Sequence, residues 1–96
     1  MSLTVAELKR RIQPGVKIQS VHPGHGLTPC PPDHPFYTEV ATVREVNTVG
    51  FASERPFKAG KLSHCDWPKA SQLVETPDGF KIIRASNMIL RYRWIA

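Results

Sequence analysis

The sequence predicts a small, mainly β protein with one short helix at its N-terminus. Three observations support this fold class. A helix-capping pattern stands at the N-terminus, short segments rich in Val, Ile, Thr and aromatic residues recur along the rest of the chain, and turns containing Pro or Gly separate these segments. So many short strands within 96 residues favour a small SH3-like or OB-like barrel, or a strongly bent antiparallel sheet.

The helix prediction comes from the segment Thr4-Val5-Ala6-Glu7. Thr4 and Glu7 have the spacing of a capping box, and Leu3 and Leu8 occupy the two positions of a hydrophobic staple. Pro14 and the glycine after it end the pattern, which predicts a helix over about residues 4–12. A helix this short is unstable alone, so its apolar side must pack on the rest of the protein.

The strands are predicted from β-branched and aromatic residues and from alternating polarity. The clearest hairpin signal is Thr76-Pro77-Asp78-Gly79, which lies between two β-like segments. In the last segment Leu90, Tyr92 and Trp94 alternate with two arginines, so the apolar and charged side chains should lie on opposite faces. The predicted strands cover about residues 16–21, 37–46, 49–52, 72–75, 80–84 and 88–95, with residues 53–61 as a polar and basic loop.

Length and composition limit the class of protein. A chain of 96 residues is expected to form one domain, residues 1–96, and its 41% hydrophobic content is too high for a disordered chain. The apolar runs are too short to span a bilayer, and the N-terminus lacks the order of a signal peptide. We therefore expect a cytoplasmic protein without a membrane partner, whose two cysteines, Cys30 and Cys65, are reduced.

Residues 22–35, HPGHGLTPCPPDHP, concentrate potential metal ligands. The set His22, His25, Cys30 and His34 offers four side chains that zinc accepts, but its spacing matches no familiar zinc motif and several prolines restrict how the chain can wrap an ion. The alternative is a surface loop that binds a partner without a metal. We expect the loop, with no metal and no cofactor, and keep these four residues as the alternative zinc set.

The sequence contains no recognisable catalytic motif. It has no nucleophile elbow, no glycine-rich phosphate loop and no His-Glu-x-x-His segment. His64 and Cys65 are neighbours, so on a strand their side chains would point to opposite faces and could not form a dyad. We therefore expect a binding protein and not an enzyme.

Positive charge is the strongest indication of function. The net charge is +5, and residues 79–96 contain four cations and no acidic residue. A cationic surface favours nucleic acid or an acidic protein as partner. We predict nucleic-acid binding, and the phosphate-contacting residues that we select are Arg10, Lys81, Arg84, Arg91 and Arg93.

Aromatic residues lie among these cations and allow two interpretations. Tyr92 and Trp94 could stack on bases, as in binders of single strands, or they could form the core side of a closing strand. We favour the core for both, and for Trp67 as well.

The alternative function is a protein-binding module. Its contact surface would be formed by the 22–35 and 53–61 loops, with Phe57 among basic residues, and its partner would be acidic. In general character the short helix, the Pro-Gly turn, the Val/Thr-rich strands and the final Tyr-Arg-Trp strand resemble small accessory proteins of phages and mobile elements. No diagnostic motif carries this resemblance, so it assigns no residue a role.

Overall fold

Seven antiparallel strands in one sheet dominate the structure, which confirms the mainly β prediction. The computed structural model describes residues 3–24, 28 and 30–96. Within these residues the strand order is β4-β3-β2-β1-β7-β6-β5. The strands are β1 (Lys17–Val21), β2 (Ala41–Val46), β3 (Gly50–Glu54), β4 (Leu62–Asp66), β5 (Leu73–Thr76), β6 (Gly79–Ala85) and β7 (Met88–Trp94).

The N-terminal helix α1 (Val5–Arg11) forms as predicted. The Thr4 hydroxyl accepts a hydrogen bond from the Glu7 N–H at 3.1 Å, and the Thr4 N–H donates to the Glu7 carboxylate at 3.1 Å, which completes the capping box. Leu8 and Ile12 are fully buried in the core of the sheet. The sheet therefore supplies the packing that this short helix needs.

The sheet is curled, and an arginine connects one end strand to the strand next to the other end. β4 and β6 are five positions apart in the strand order, which in a flat sheet would separate them by about 24 Å at ~4.8 Å per strand. Instead Nη2 of Arg84 on β6 donates to the carbonyl oxygen of Asp66 on β4 at 2.6 Å. Register shifts in β2 and β6 support this bending, since β-bulges increase local twist. Among the described residues β4 and β5 do not pair, so the sheet is strongly bent but not closed.

The concave side of the sheet holds the core. Phe80, Ile82 and Ile18 are fully buried there. Tyr92 on β7 packs against Phe80 with ring centroids 5.2 Å apart, and against Phe51 on β3 at 6.2 Å. Contacts between β7 and β3 across the concave side show that the curled sheet packs against itself rather than against a second sheet.

The predicted strand 37–46 is wrong at its start. A short helix, α2 (Pro35–Thr38), precedes β2 and includes Tyr37, because His34 and Pro35 favour a helix start. The His34 side chain accepts a hydrogen bond from the Phe36 N–H at 3.1 Å, and proline fits the first helical position. Gln19 on β1 donates to the Tyr37 carbonyl at 2.7 Å, which ties α2 to the sheet.

The predicted strands omit β4 and end β3 too early. The predicted strand 49–52 is observed as Gly50–Glu54, and the predicted 53–61 loop contains the end of β3 and a short 3-10 helix, Pro56–Lys58. Segment Leu62–Asp66 has little apolar alternation because it is an edge strand. Gly50 allows the close pairing of β3 with β4, since a Cβ atom there would lie 2.1 Å from the Cys65 carbonyl oxygen.

We predict that Arg84→Met destabilises the protein by about 1–2 kcal/mol, because the variant loses a charged hydrogen bond that holds the curled sheet together. Urea unfolding measures this change. Arg44→Met is the matched control, since Arg44 forms an exposed ion pair with Glu54 at 2.9 Å and such pairs contribute about 0–1 kcal/mol. Equal losses in the two variants would contradict a special role for Arg84.

Candidate nucleic-acid interface

Three of the predicted phosphate-contacting residues lie on the outer face of the sheet. Lys81 on β6 is directly opposite Arg91 on β7, and Arg93 follows two residues further on the same side of β7. Their neighbours at even positions, such as Phe80 and Tyr92, point into the core. The strand register therefore brings together a set that we call the outer cationic face: Lys81, Arg91 and Arg93.

Hydrogen bonds hold Arg93 in place, and a longer ion pair joins Arg91 to a carboxylate. Arg93 donates from Nε and Nη2 to Oε1 of Gln19 on β1, at 3.0 and 2.8 Å. Arg91 Nη2 is 3.6 Å from Oδ1 of Asp78 at the hairpin turn, and both side chains are partly exposed. The hydrogen bond from the Thr76 hydroxyl is the main reason why the pKa of Asp78 is lowered, and Arg91 adds to the effect. Asp78 thus neutralises only part of the charge of this face.

The positive charges of the outer cationic face are close to one another. Side chains directly opposite on antiparallel strands have Cβ atoms about 5 Å apart, so the pairing of Lys81 with Arg91 is a pairing of like charges. Such a pair destabilises the free protein. An anion bound across the pair would remove this repulsion.

The other two predicted phosphate-contacting residues, Arg84 and Arg10, do not lie on the outer cationic face. Arg84 has the parity of the core residues, and besides the Asp66 carbonyl its guanidinium contacts Oε1 of Gln72 at 3.3 Å. Arg10 is exposed on α1, whose next residue, Arg11, stacks on the Trp94 ring at 4.0 Å. Since Trp94 ends β7, α1 lies close to the end of the strand that carries Arg91 and Arg93.

The aromatic residues of the C-terminal segment pack in the core, as the sequence analysis favoured. Tyr92 is only 7% exposed. Trp94 is partly buried against the core and lies 5.1 Å from Phe80 between ring centroids. Trp67 also packs on the core, beside Phe51 at 5.5 Å. Aromatic stacking surfaces are therefore on the inner side of the sheet, and the outer cationic face offers charge and hydrogen-bond donors.

Two of the alternative zinc ligands use a ring nitrogen to bind the backbone. Nδ1 of His22 accepts from the Gly24 N–H at 3.0 Å, and Nδ1 of His34 accepts from the Phe36 N–H at 3.1 Å. A neutral imidazole that accepts at Nδ1 carries its proton on Nε2. His25 lies outside the described residues, and the described part of the chain contains no group of three or more His, Cys, Asp or Glu side chains placed to hold a metal.

Arg55 is a functional candidate that the sequence analysis missed. It is 3% exposed, its Nη2 donates to the Ser20 hydroxyl at 2.6 Å, and its Nε donates to the Phe36 carbonyl at 3.3 Å. The Phe36 ring lies 4.1 Å from the guanidinium. Burial lowers the pKa of Arg55. In the sequence Arg55 is one cation among several in a polar segment, so nothing local distinguishes it.

The 22–35 and 53–61 segments contact each other beside Arg55. The rings of His34 and Phe57 meet edge to face, with centroids 5.3 Å apart. The Phe57 N–H donates to Oε1 of Glu39 at 2.8 Å. Both Phe57 and Phe36 are half-buried. The two segments assigned to the alternative protein-binding surface are therefore adjacent in the fold.

Cys65 and Tyr92 form a buried titratable pair on the inner side. As predicted from their adjacent positions, Cys65 is buried while His64 is exposed on the opposite side of β4. Burial raises the pKa of the Cys65 thiol, although a hydrogen bond with Tyr92 and the nearby Arg84 partly offset the effect. Burial also raises the pKa of the Tyr92 hydroxyl. The fold therefore holds both groups neutral.

Comparisons of the chain with protein-family models, with curated proteins and with solved structures find no significant match. The assignment of the bent sheet to an SH3-like or OB-like barrel therefore stays a prediction.

In the described part of the chain, no helix is long and apolar enough to cross a membrane.

We predict that the protein loses stability as the pH rises above about 8.5, where the thiol of an unfolded chain ionises. Because the folded state keeps Cys65 neutral, its raised pKa stabilises the fold below this pH, and that contribution falls by up to about 1.4 kcal/mol per pH unit above it. Tyr92 acts in the same direction from about pH 10.

Urea unfolding between pH 7 and 10.5 tests this prediction in the wild type, in Cys65→Ala and in the control Cys30→Ala. In Cys65→Ala the free energy of unfolding should depend less on pH than in the wild type, since the buried thiol is gone. If the two variants have identical pH profiles, the buried thiol is not the cause.

Proposed function

We propose that the protein binds nucleic acid through the outer cationic face, with Arg91, Arg93 and Lys81 contacting phosphates. The observation that carries this proposal is the strand register, which aligns the three cations on one accessible side of β6 and β7. Clustering of cations on one face is the feature that favours nucleic acid over a protein partner. We also propose a cytoplasmic location, in which Cys30 and Cys65 stay reduced.

The spacing of the two arginines suits a nucleic-acid backbone. Residues two apart on a strand are separated by about 6.8 Å. Successive phosphates of one DNA strand advance by about 3.4 Å along the helix axis and also rotate around it, so the direct distance between neighbouring phosphates exceeds this rise and is comparable with the separation of the two arginines. Arg91 and Arg93 can thus follow one strand, while Lys81 on the neighbouring β-strand lies beside them.

The mode of binding follows from what the face lacks. The aromatic side chains of β6 and β7 pack inward, so stacking on splayed bases is not part of the proposal. Phosphate contacts by arginine and lysine carry little sequence information. We therefore propose binding that depends on the backbone, with weak sequence preference and a strong dependence on salt.

The other two predicted residues have smaller roles in this proposal. Arg10 would extend the cationic surface, since α1 lies near the end of β7. Arg84 contributes charge, but its donors are already bound to Asp66 and Gln72.

The second candidate function is protein binding through the 22–35 and 53–61 loops. The contact between His34 and Phe57 favours this function, because the contact joins the two loops in one surface. An exposed apolar patch there would strengthen this candidate. However, Phe36 and Phe57 are half-buried, and the exposed large apolar side chains of the described residues, Val49, Val74 and Met88, lie elsewhere.

We predict that Arg91→Ala/Arg93→Ala weakens binding to single- and double-stranded oligonucleotides of any sequence. The plot of log K against log salt concentration has a negative slope, and the loss of two phosphate contacts should make that slope shallower by about 2. Fluorescence anisotropy with labelled oligonucleotides across a salt series gives both quantities, and thermal unfolding shows whether the variant is folded.

The matched control is Lys9→Ala/Lys69→Ala, which removes the same number of charges from exposed positions, one beside the Trp67 ring and one two residues after Trp67 in the sequence. This control should keep most of the affinity and the slope. An unchanged slope in Arg91→Ala/Arg93→Ala, or equal losses in both double variants, would overturn the proposed interface. Absence of binding by the wild type at low salt would overturn the proposed function.

A further inference from the structure

A cavity of about 300 Å³ lies beside the β3–β4 end of the sheet, away from β6 and β7 in the strand order. This volume is at the lower end of the range for small-molecule sites. The cavity is lined by residues of the 22–35 and 53–61 segments and by the start of β4, and the lining contains no acidic residue. The lining side chains that matter for its chemistry are His34, Arg55, Phe57, Lys58, Lys61 and Ser63.

Arg55 gives the cavity a positive charge that the described part of the protein does not neutralise. Its guanidinium is buried, and both groups that accept its hydrogen bonds, the Ser20 hydroxyl and the Phe36 carbonyl, are neutral. No described carboxylate forms an ion pair with it, and its Nη1 is buried without a hydrogen-bond partner among the described residues. A buried charge of this kind is costly unless an opposite charge compensates it.

Two lysines place mobile donors at the same cavity. Lys58 and Lys61 are exposed, and the Lys58 ammonium lies 5.8 Å from the Phe57 ring centroid. Two carboxylates bind the same loop but do not line the cavity: Glu39 accepts from the Phe57 N–H at 2.8 Å, and Glu54 binds Arg44 at 2.9 Å and accepts from the Gly60 N–H. An anion that enters the cavity therefore meets lysine donors directly and the field of a buried guanidinium behind them.

We infer that this cavity binds a phosphate group, with Lys58 and Lys61 as direct ligands and Arg55 as the buried charge that attracts it. Phosphate fits the donor set because lysine ammonium groups bind its oxygens as point charges, and the Ser63 hydroxyl provides a further donor. The aromatic ring of Phe57 at the wall suits a phosphate that carries a flat apolar group. This site is separate from the outer cationic face and does not depend on it.

The phosphate could belong to a free small molecule or to the end of a nucleic-acid strand, and titrations of the full chain distinguish these sources. The ¹⁵N-labelled protein is titrated at constant ionic strength with inorganic phosphate and with adenosine monophosphate, while amide shifts are followed. We expect saturable shifts centred on the amides of Phe57, Lys58, Lys61 and Ser63. Tighter binding of a 5′-phosphorylated oligonucleotide than of its 5′-hydroxyl counterpart would indicate that the site takes a strand end. Equal binding of the two oligonucleotides, together with saturable binding of adenosine monophosphate, would indicate a free small molecule.

The variant Lys58→Ala/Lys61→Ala tests the direct ligands without disturbing the core. We expect the Kd for phosphate to rise at least tenfold, which corresponds to a loss of about 1.4 kcal/mol of binding free energy. The matched control, Lys9→Ala/Lys69→Ala, should bind phosphate as the wild type does. If the two double variants lose affinity equally, the effect is one of net charge and the site is overturned.

Alkylation of Cys30 provides a second measurement. Cys30 lines the cavity and is half-buried, whereas Cys65 is buried in the core. Bound phosphate should slow the reaction of Cys30 with iodoacetamide, as followed by mass spectrometry, and Lys58→Ala/Lys61→Ala should abolish this protection. The site is refuted if saturating phosphate leaves the alkylation rate unchanged and causes no saturable amide shifts at the cavity.

Discussion

The need to bury one face of a single sheet shapes the whole molecule. Seven strands have an apolar inner face, and with no second sheet among the described elements that face is covered by curling and by α1. Phe51 and Tyr92 meet across the concave side because strands distant in the order come together. Arg84 on β6, next to the end strand β5, binds the Asp66 carbonyl on the other end strand, β4, so a charged side chain connects strands that do not pair.

The curl separates the chemistry of the two sides. Strand alternation sends Tyr92 inward and its neighbours Arg91 and Arg93 outward, so the aromatic groups stabilise the core while the cations lie on the outer side of the sheet. Arg55 departs from this division, because it is a cation held inside. We propose that the outer cationic face binds a long, highly charged backbone and that the cavity beside Arg55 binds one small anion. The net charge of the chain thus has two distinct uses in our proposals.

Local signals were sufficient for the elements that local interactions stabilise. The capping box of Thr4 and Glu7 and the turn at residues 76–79 were predicted, because both depend on residues close in sequence. β4 was missed because it is an edge strand stabilised by pairing with β3, and residues 37–38 were predicted as strand because the capping by His34 was not recognised. The outer position of Arg91 and Arg93 followed from alternation alone.

The sequence by itself determined the mainly β class, the N-terminal helix, the final hairpin and the opposite faces of β7, since these follow from short-range periodicity and turn chemistry. Only the tertiary structure decided which cations share a surface. Lys81 and Arg91 meet through strand register, Arg84 is drawn to a distant strand, and Arg55 is buried by contacts with residues 19 and 35 positions away. These outcomes depend on the curl of the sheet, and a curl arises from packing between residues far apart in the chain.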